Sequence, residues 1–274
     1  MDPITVSCIV AVSIFAAAVI GLRLHQVLPD AHLSKETLDV IRLGTGMLSV
    51  LASLVLGLLI ATAKSSYDAT DHAIRTYAAS LILLHETLRD YGNDAAAQRT
   101  MLRSYTETLL AYKWPEHGER RAQAEDRAAG QLLEHVRETI RALRPVDEGQ
   151  KWLLEQALQI SSSLLQQRWL LIEQEGPSVK PMIVVILVTW IALIFLSFGI
   201  NAPRNATVVG AFVVCSVAIG GAVFLVLELD RPFDGVLRIS AQPLRIALTH
   251  MAPDLAPAVE TPSHCSSHTS GPIQ

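Results

Sequence analysis

Four stretches of about twenty residues, none containing Asp, Glu, Lys, Arg or His, organise this chain: Pro3 to Leu22, Gly44 to Ala63, Pro181 to Ile200 and Thr207 to Leu227. A helix rises 1.5 Å per residue, so roughly 20 apolar residues cover a hydrocarbon core of about 30 Å. Each run is predicted to cross a bilayer as a helix. Together they form two hairpins separated by a long charged stretch.

Within that stretch the pattern changes to one-sided helices. From Lys64 there is no Pro or Gly until Gly92, and Ile74, Tyr77, Ala78, Leu81, Leu84 and Leu88 recur at helical spacing. The second span is therefore predicted to continue into water as one rod from Lys35 to Arg89, on the order of 80 Å long, with Ser34 as its N-cap. Leu102, Tyr105, Leu109 and Tyr112 mark a further helix before Trp114-Pro115. Leu132, Leu133, Val136, Ile140 and Leu143 mark another before Pro145. Leu153, Ala157, Ile160, Leu164 and Ile172 mark a third, closed by Gly176-Pro177. Each must bury its apolar stripe against a neighbour, which predicts an antiparallel helical bundle over residues 65–180. No period-two alternation occurs, so no sheet is expected.

The fold class read from this pattern is an all-α integral membrane protein. Its expected parts are a first transmembrane hairpin (1–64), an extramembrane helical bundle (65–180), a second hairpin with a short amphipathic piece that runs through Leu244 (181–250), and a disordered Pro-, Ser-, Thr- and His-containing tail (251–274). The first run begins Met1-Asp2-Pro3 without a basic residue and is longer than a usual signal-peptide core, so it is read as a retained helix.

Composition narrows the function classes. Hydrophobic residues make up 50% and charged residues 18% of 274, and the net charge is -4. Residues 65–180 carry no basic excess, so no nucleic-acid partner is expected. Cys8 and Cys215 lie inside apolar runs and Cys265 lies in the tail, so no disulfide framework is indicated. Lys64, Arg75, Arg168, Lys180, Arg231, Arg238 and Arg245 would share one side of the membrane, and Arg23, Lys35, Arg42 and Arg204 the other. The positive-inside bias then places both termini and the bundle in the cytoplasm, in a multi-pass protein of the cell membrane.

Motifs for catalysis are missing: there is no His-Glu-x-x-His, Gly-x-Ser-x-Gly, Cys-x-x-Cys or phosphate-cradling glycine loop, and no cofactor is implied. His135 and Glu138, one turn apart, read as a solvated surface pair, and His264, Cys265 and His268 lie in the tail, so no metal site is expected. An ion-coupled transporter normally carries a titratable group within the bilayer, and these spans have none. The second span is more informative. Gly46, Ser49, Ser53, Gly57 and Ala61 place small, partly polar side chains on one helical face, which suits either close helix packing or the lining of a water-filled path. Asp39 and Arg42 precede this face and Lys64 and Asp68 follow it, as interfacial ion pairs or as charged rings at the mouths of a path.

Two segments resemble a known family. Leu28-Pro-Asp-Ala-His-Leu-Ser-Lys-Glu-Thr-Leu-Asp-Val-Ile-Arg-Leu-Gly-Thr-Gly-Met, running into the second span, and Leu227-Glu-Leu-Asp-Arg-Pro-Phe-Asp-Gly after the fourth are similar to the two signatures of the bestrophin-like DUF4239 family. The resemblance implies four spanning helices, cytosolic termini, a cytosolic helical region between the second and third spans, and a pentameric channel whose axis the second span lines. Small ions, the lipid bilayer and further copies of this chain are the partners it implies. The second span departs from bestrophins in having no Phe, Tyr or Trp between Gly44 and Ala63. Glu228, Asp230 and Asp234 are interrupted by Arg231, unlike the acidic calcium clasp of eukaryotic bestrophins.

The expected function is a homo-oligomeric, channel-like membrane protein. The alternative is a non-conducting scaffold or sensor whose bundle, around Trp114, Trp152 and Trp169, binds a partner. Glu228, Asp230, Arg231 and Pro232 form a boundary motif in which Asp230 is expected to cap or pair while Pro232 turns the chain out of the helix.

Overall fold

The computed structural model describes residues 2–27, 35–114, 124–173, 181–233 and 235–252. Ser34, Pro115, Gly176, Pro177, Lys180, Asp234, His264, Cys265, His268 and the segment 253–274 lie outside them. All regular structure among the described residues is helical: α1 (Pro3–Val27), α2 (Lys35–Tyr91), α3 (Ala96–Lys113), α4 (Ala124–Arg141), α5 (Glu148–Glu173), α6 (Pro181–Asn201), α7 (Ala206–Leu229) and α8 (Gln242–His250). Among the described residues α1, α2, α6 and α7 are the four helices long and apolar enough to cross a membrane, and each contains one of the four apolar runs.

The 57 residues of α2 make a rod of about 85 Å that belongs to two layers. It stops at Tyr91 because Gly92 adopts φ 116°, open to glycine at no steric cost. Along its first half α2 packs on α6 and α7. Along its second half it packs on α5, α3 and α8. One core therefore lies among the spanning helices, around Ile14, Ala18, Leu59, Leu187, Phe195 and Val226, and a second lies in the bundle, around Leu81, Leu84, Leu102, Leu133, Ile140 and Leu164. The apolar positions predicted on the second half of α2, Ile74, Tyr77, Ala78, Leu81, Leu84 and Leu88, are all buried there. Tyr77 and Tyr105 share a buried hydroxyl hydrogen bond at the centre of the bundle, where burial and the neighbouring phenol hold the Tyr77 hydroxyl well above its usual pKa.

The most intimate contact in the membrane layer is between α1 and α6. A Cβ at Gly21 would collide with the Leu196 carbonyl, and one at Gly199 with the Ala18 carbonyl. Gly220 of α7 meets α1 in the same way, since its added Cβ would lie 2.9 Å from the Ala11 Cβ. Lipid tails give helices no hydrophobic reason to associate, so backbone proximity through small residues supplies the packing contacts. Thr45 Oγ1 and Ser197 Oγ are 2.8 Å apart and join α2 to α6 near their ends.

Candidate functional site: the uncovered face of the second helix and the turn after the fourth span

Apart from the half-buried Ser49, the small-residue stripe on α2 is left uncovered by the chain. An added Cβ at Gly46 or Gly57 would meet nothing within 4 Å, and Ser53 and Ala61 are exposed. The face of α2 that meets the rest of the chain is marked by Thr45, Ala52, Leu59 and Ala63, all buried. At about 100° per residue, the direction opposite that face is occupied by Leu43, Val50, Leu54 and Ala61. Val50 is 70% exposed and Leu54 69%.

The two flanks of this ridge are unlike. On one side lie Gly46, Ser49, Ser53 and Gly57; on the other lie Val40, Met47, Leu51 and Leu58, all bulky and exposed. Ser49 Oγ donates to the Thr45 carbonyl at 2.7 Å and Ser53 Oγ to the Ser49 carbonyl at 2.8 Å, so both hydroxyl protons serve their own helix. Each oxygen keeps a lone pair directed away from the backbone.

Charge brackets this face at both ends. Arg42 approaches Asp39 at 3.5 Å, Lys64 pairs with Asp68, and Arg75 pairs with Asp71 at 2.8 Å. These pairs are separated by three or four residues and lie near the small flank. The Asp71–Arg75 pair extends the predicted charged exit by two turns. An open groove runs past Asp39, Arg42, Gly46 and Val50.

The boundary motif is organised by a residue the sequence did not single out among its four. Glu228 is 2% exposed, and its carboxylate accepts the backbone N–H groups of Val236 and of Leu237, the latter at 3.1 Å. Gly235, at φ 98°, presses against that carboxylate so closely that any Cβ there would collide with it. Asp230 is the C-cap residue of α7, and its backbone N–H donates to the Val226 carbonyl at 3.2 Å. Pro232 follows as the chain leaves the helix, and its carbonyl accepts from Ile239 N at 2.9 Å, closing the turn.

The turn is fastened to the bundle. Trp114 Nε1 donates to the Ile239 carbonyl at 2.8 Å, the Trp114 and Phe233 rings meet edge to face at 5.8 Å, and Lys113 Nζ lies 4.9 Å from the Phe233 ring centre. Leu244, Ala247 and Met251 then bury one stripe of α8 in the bundle core. The amphipathic piece predicted to run through Leu244 thus continues to His250. Of the three tryptophans proposed for partner binding, Trp114 is engaged in this clamp, while Trp152 and Trp169 are exposed on α5. His135 and Glu138 are 3.8 Å apart on the surface of α4, with no third ligand among the described residues.

Comparison with known proteins matches the Bestrophin-like domain over residues 11–244. No curated protein matches the chain. The fold is similar to crystal structures of a bacterial Bestrophin homolog from Klebsiella pneumoniae. A tryptophan-to-alanine variant of that protein superposes with TM-score 0.62 at 15% identity, covering 92% of this chain and 97% of that one. An aspartate-to-alanine variant gives 0.63 at 15%, covering 89% and 98%. The structure phased with zinc gives 0.61 at 14%, covering 89% and 96%.

Proposed function

This chain belongs to the bestrophin-like family, and we propose that it assembles into a ring of identical copies that conducts small ions along a central path formed by α2. The observation that carries this reading is the face of α2 its own chain leaves bare, with two flanks that complement each other. A closed ring needs a heterologous contact in which one surface of a copy meets a different surface of the next. The groove of Gly46, Ser49, Ser53 and Gly57 suits the ridge of Met47, Leu51 and Leu58 from a neighbour, large side chains against small. Leu43, Val50, Leu54 and Ala61 then point at the axis, and Asp39, Arg42, Lys64 and Asp68 lie towards its two mouths. Five copies is the number the family resemblance favours.

On this reading the small stripe serves helix packing, and the path narrows at an aliphatic constriction one helical turn deep, at Val50 and Leu54. Hydrophobic constrictions of this kind control conduction by dewetting. The bundle and both termini lie on the cytoplasmic side, where Lys64, Arg75, Arg231 and Arg238 cluster.

Currents through the purified oligomer in planar bilayers test the proposal. Leu54→Ser should raise unitary conductance by wetting the constriction, whereas Ser53→Lys should prevent assembly by burying an unpaired charge between helices. A well-folded oligomer that passes no current at any voltage or salt would remove the channel reading. The alternative, a non-conducting scaffold, is favoured by one observation: Trp152 and Trp169 are 61% and 66% exposed on α5, as aromatic anchors for a protein partner would be.

A further inference from the structure

At the end of the membrane layer remote from the bundle, α1, α7 and the turn before α7 flank an open, shallow hollow of about 440 Å³. Its wall is apolar, formed by Val19 and Leu22 of α1 and Val209 of α7, and its polar lining is Arg23, Arg204 and Asn205. Both arginines stand just outside apolar runs, Arg23 directly after Leu22 and Arg204 three residues before Thr207. The site therefore straddles the boundary between hydrocarbon and water.

Among the described residues no carboxylate lines it, and none forms an ion pair or hydrogen bond with Arg23. Among the described residues Arg204 is held by one bond, from Nη2 to the Leu22 carbonyl at the end of α1, which leaves further guanidinium N–H donors available. The Asn205 side chain is occupied, since it accepts from Val208 N at 3.0 Å as the cap of α7. Two guanidinium groups facing a shared hollow repel each other unless an anion lies between them, and their planar forks suit phosphate oxygens best. An apolar wall descending from that point into the membrane suits an acyl chain.

We propose that this hollow binds an anionic phospholipid, its phosphodiester between Arg23 and Arg204 and one acyl chain along Val19 and Val209. The shared chemistry is a phosphate anion. The apolar wall and the position at the membrane boundary assign it to a lipid headgroup rather than to a soluble phosphate. The proposal does not depend on conduction and is tested without measuring current.

The test is native mass spectrometry of the full-length protein in detergent, titrated with dioctanoyl phosphatidylglycerol, dioctanoyl phosphatidylcholine or glycerol phosphate. The wild-type protein should retain phosphatidylglycerol in preference to both others. Arg23→Gln, which breaks no hydrogen bond or ion pair among the described residues, should weaken that binding about tenfold, the scale of one lost charge-assisted hydrogen bond. Val209→Ser should weaken phosphatidylglycerol while leaving glycerol phosphate unchanged. Unaltered phosphatidylglycerol binding by Arg23→Gln would overturn the proposal, as would glycerol phosphate binding as tightly as the lipid. Arg204→Lys, which keeps the charge and a donor towards the Leu22 carbonyl, should bind the lipid better than Arg204→Gln. Equal binding by those two variants counts against the site.

Discussion

At the scale of single residues, a buried carboxylate at the end of a spanning helix does more than mark the membrane boundary. Glu228 satisfies two backbone N–H groups of the following turn and forces a glycine at position 235. Glu228→Ala would remove two hydrogen bonds to a carboxylate, about 1.5–3 kcal/mol each less what water restores at the exposed Val236 and Leu237. Gly235→Ala would combine a strained φ with a collision against the carboxylate. Both variants are expected to lower the thermal unfolding temperature in detergent and to open residues 231–241 to protease. Asp230→Asn keeps the backbone bond to Val226 and should disturb the turn less. A Glu228→Ala protein that unfolds at the wild-type temperature, with the turn still protected, would show that the cage contributes nothing.

At the scale of elements, the contacts that hold the spanning helices together and the face of α2 proposed to meet other copies use the same kind of residue on different helices. Gly199 sits where α6 meets the α1 backbone, and Gly57 faces open space. Gly199→Leu should therefore abolish the folded protein, because overpacking costs about 1–3 kcal/mol even where side chains can yield, and here the obstacle is backbone. Gly57→Leu should leave a folded chain that no longer assembles. Size-exclusion chromatography with a circular dichroism melt separates the two outcomes, and a Gly199→Leu variant with wild-type assembly would contradict the packing described.

This contrast also shows what the sequence made legible. The spanning helices follow from unbroken apolar runs, which lipid on all sides demands, and the second half of α2 and the bundle helices follow from one-sided periodicity, which a core on one side imposes at every turn. The end of α2 was readable within two residues because glycine both interrupts the pattern and permits the positive φ that closes it. The partner of each small-residue stripe was not readable: Ser7, Ala11, Ala18 and Gly21 on α1 carry a pattern much like that of Gly46, Ser53 and Gly57, and only the fold shows that the former is used internally. The role of Glu228 was hidden for another reason. A carboxylate beside Asp230 and Arg231 looks like interfacial charge until the turn of residues 235–237 folds back over it.

At the scale of the whole molecule, the uncovered face of α2 makes a specific demand on how copies must meet. If the bulky flank of one copy fits the small flank of the next, then Leu58 of one subunit lies beside Gly57 of its neighbour, within the Cα separation of 4.4–6.8 Å that a disulfide requires. On a background in which Cys8, Cys215 and Cys265 are replaced by serine, Gly57→Cys and Leu58→Cys introduced together should give a ladder of covalent oligomers on mild oxidation. Either substitution alone should give little, because like positions on adjacent copies point in different directions in a ring. The ladder should stop at the number of subunits, since each copy spends one thiol on each neighbour and the last bond closes the circle. Leu54→Cys adds the complementary measurement. Its thiol should react with a charged, water-soluble reagent and alter the current, whereas one at Leu51, held between subunits, should not. An intact oligomer that yields no ladder, together with a protected Cys at position 54, would mean that α2 turns this face to lipid, and the central path would have to be sought elsewhere in the assembly.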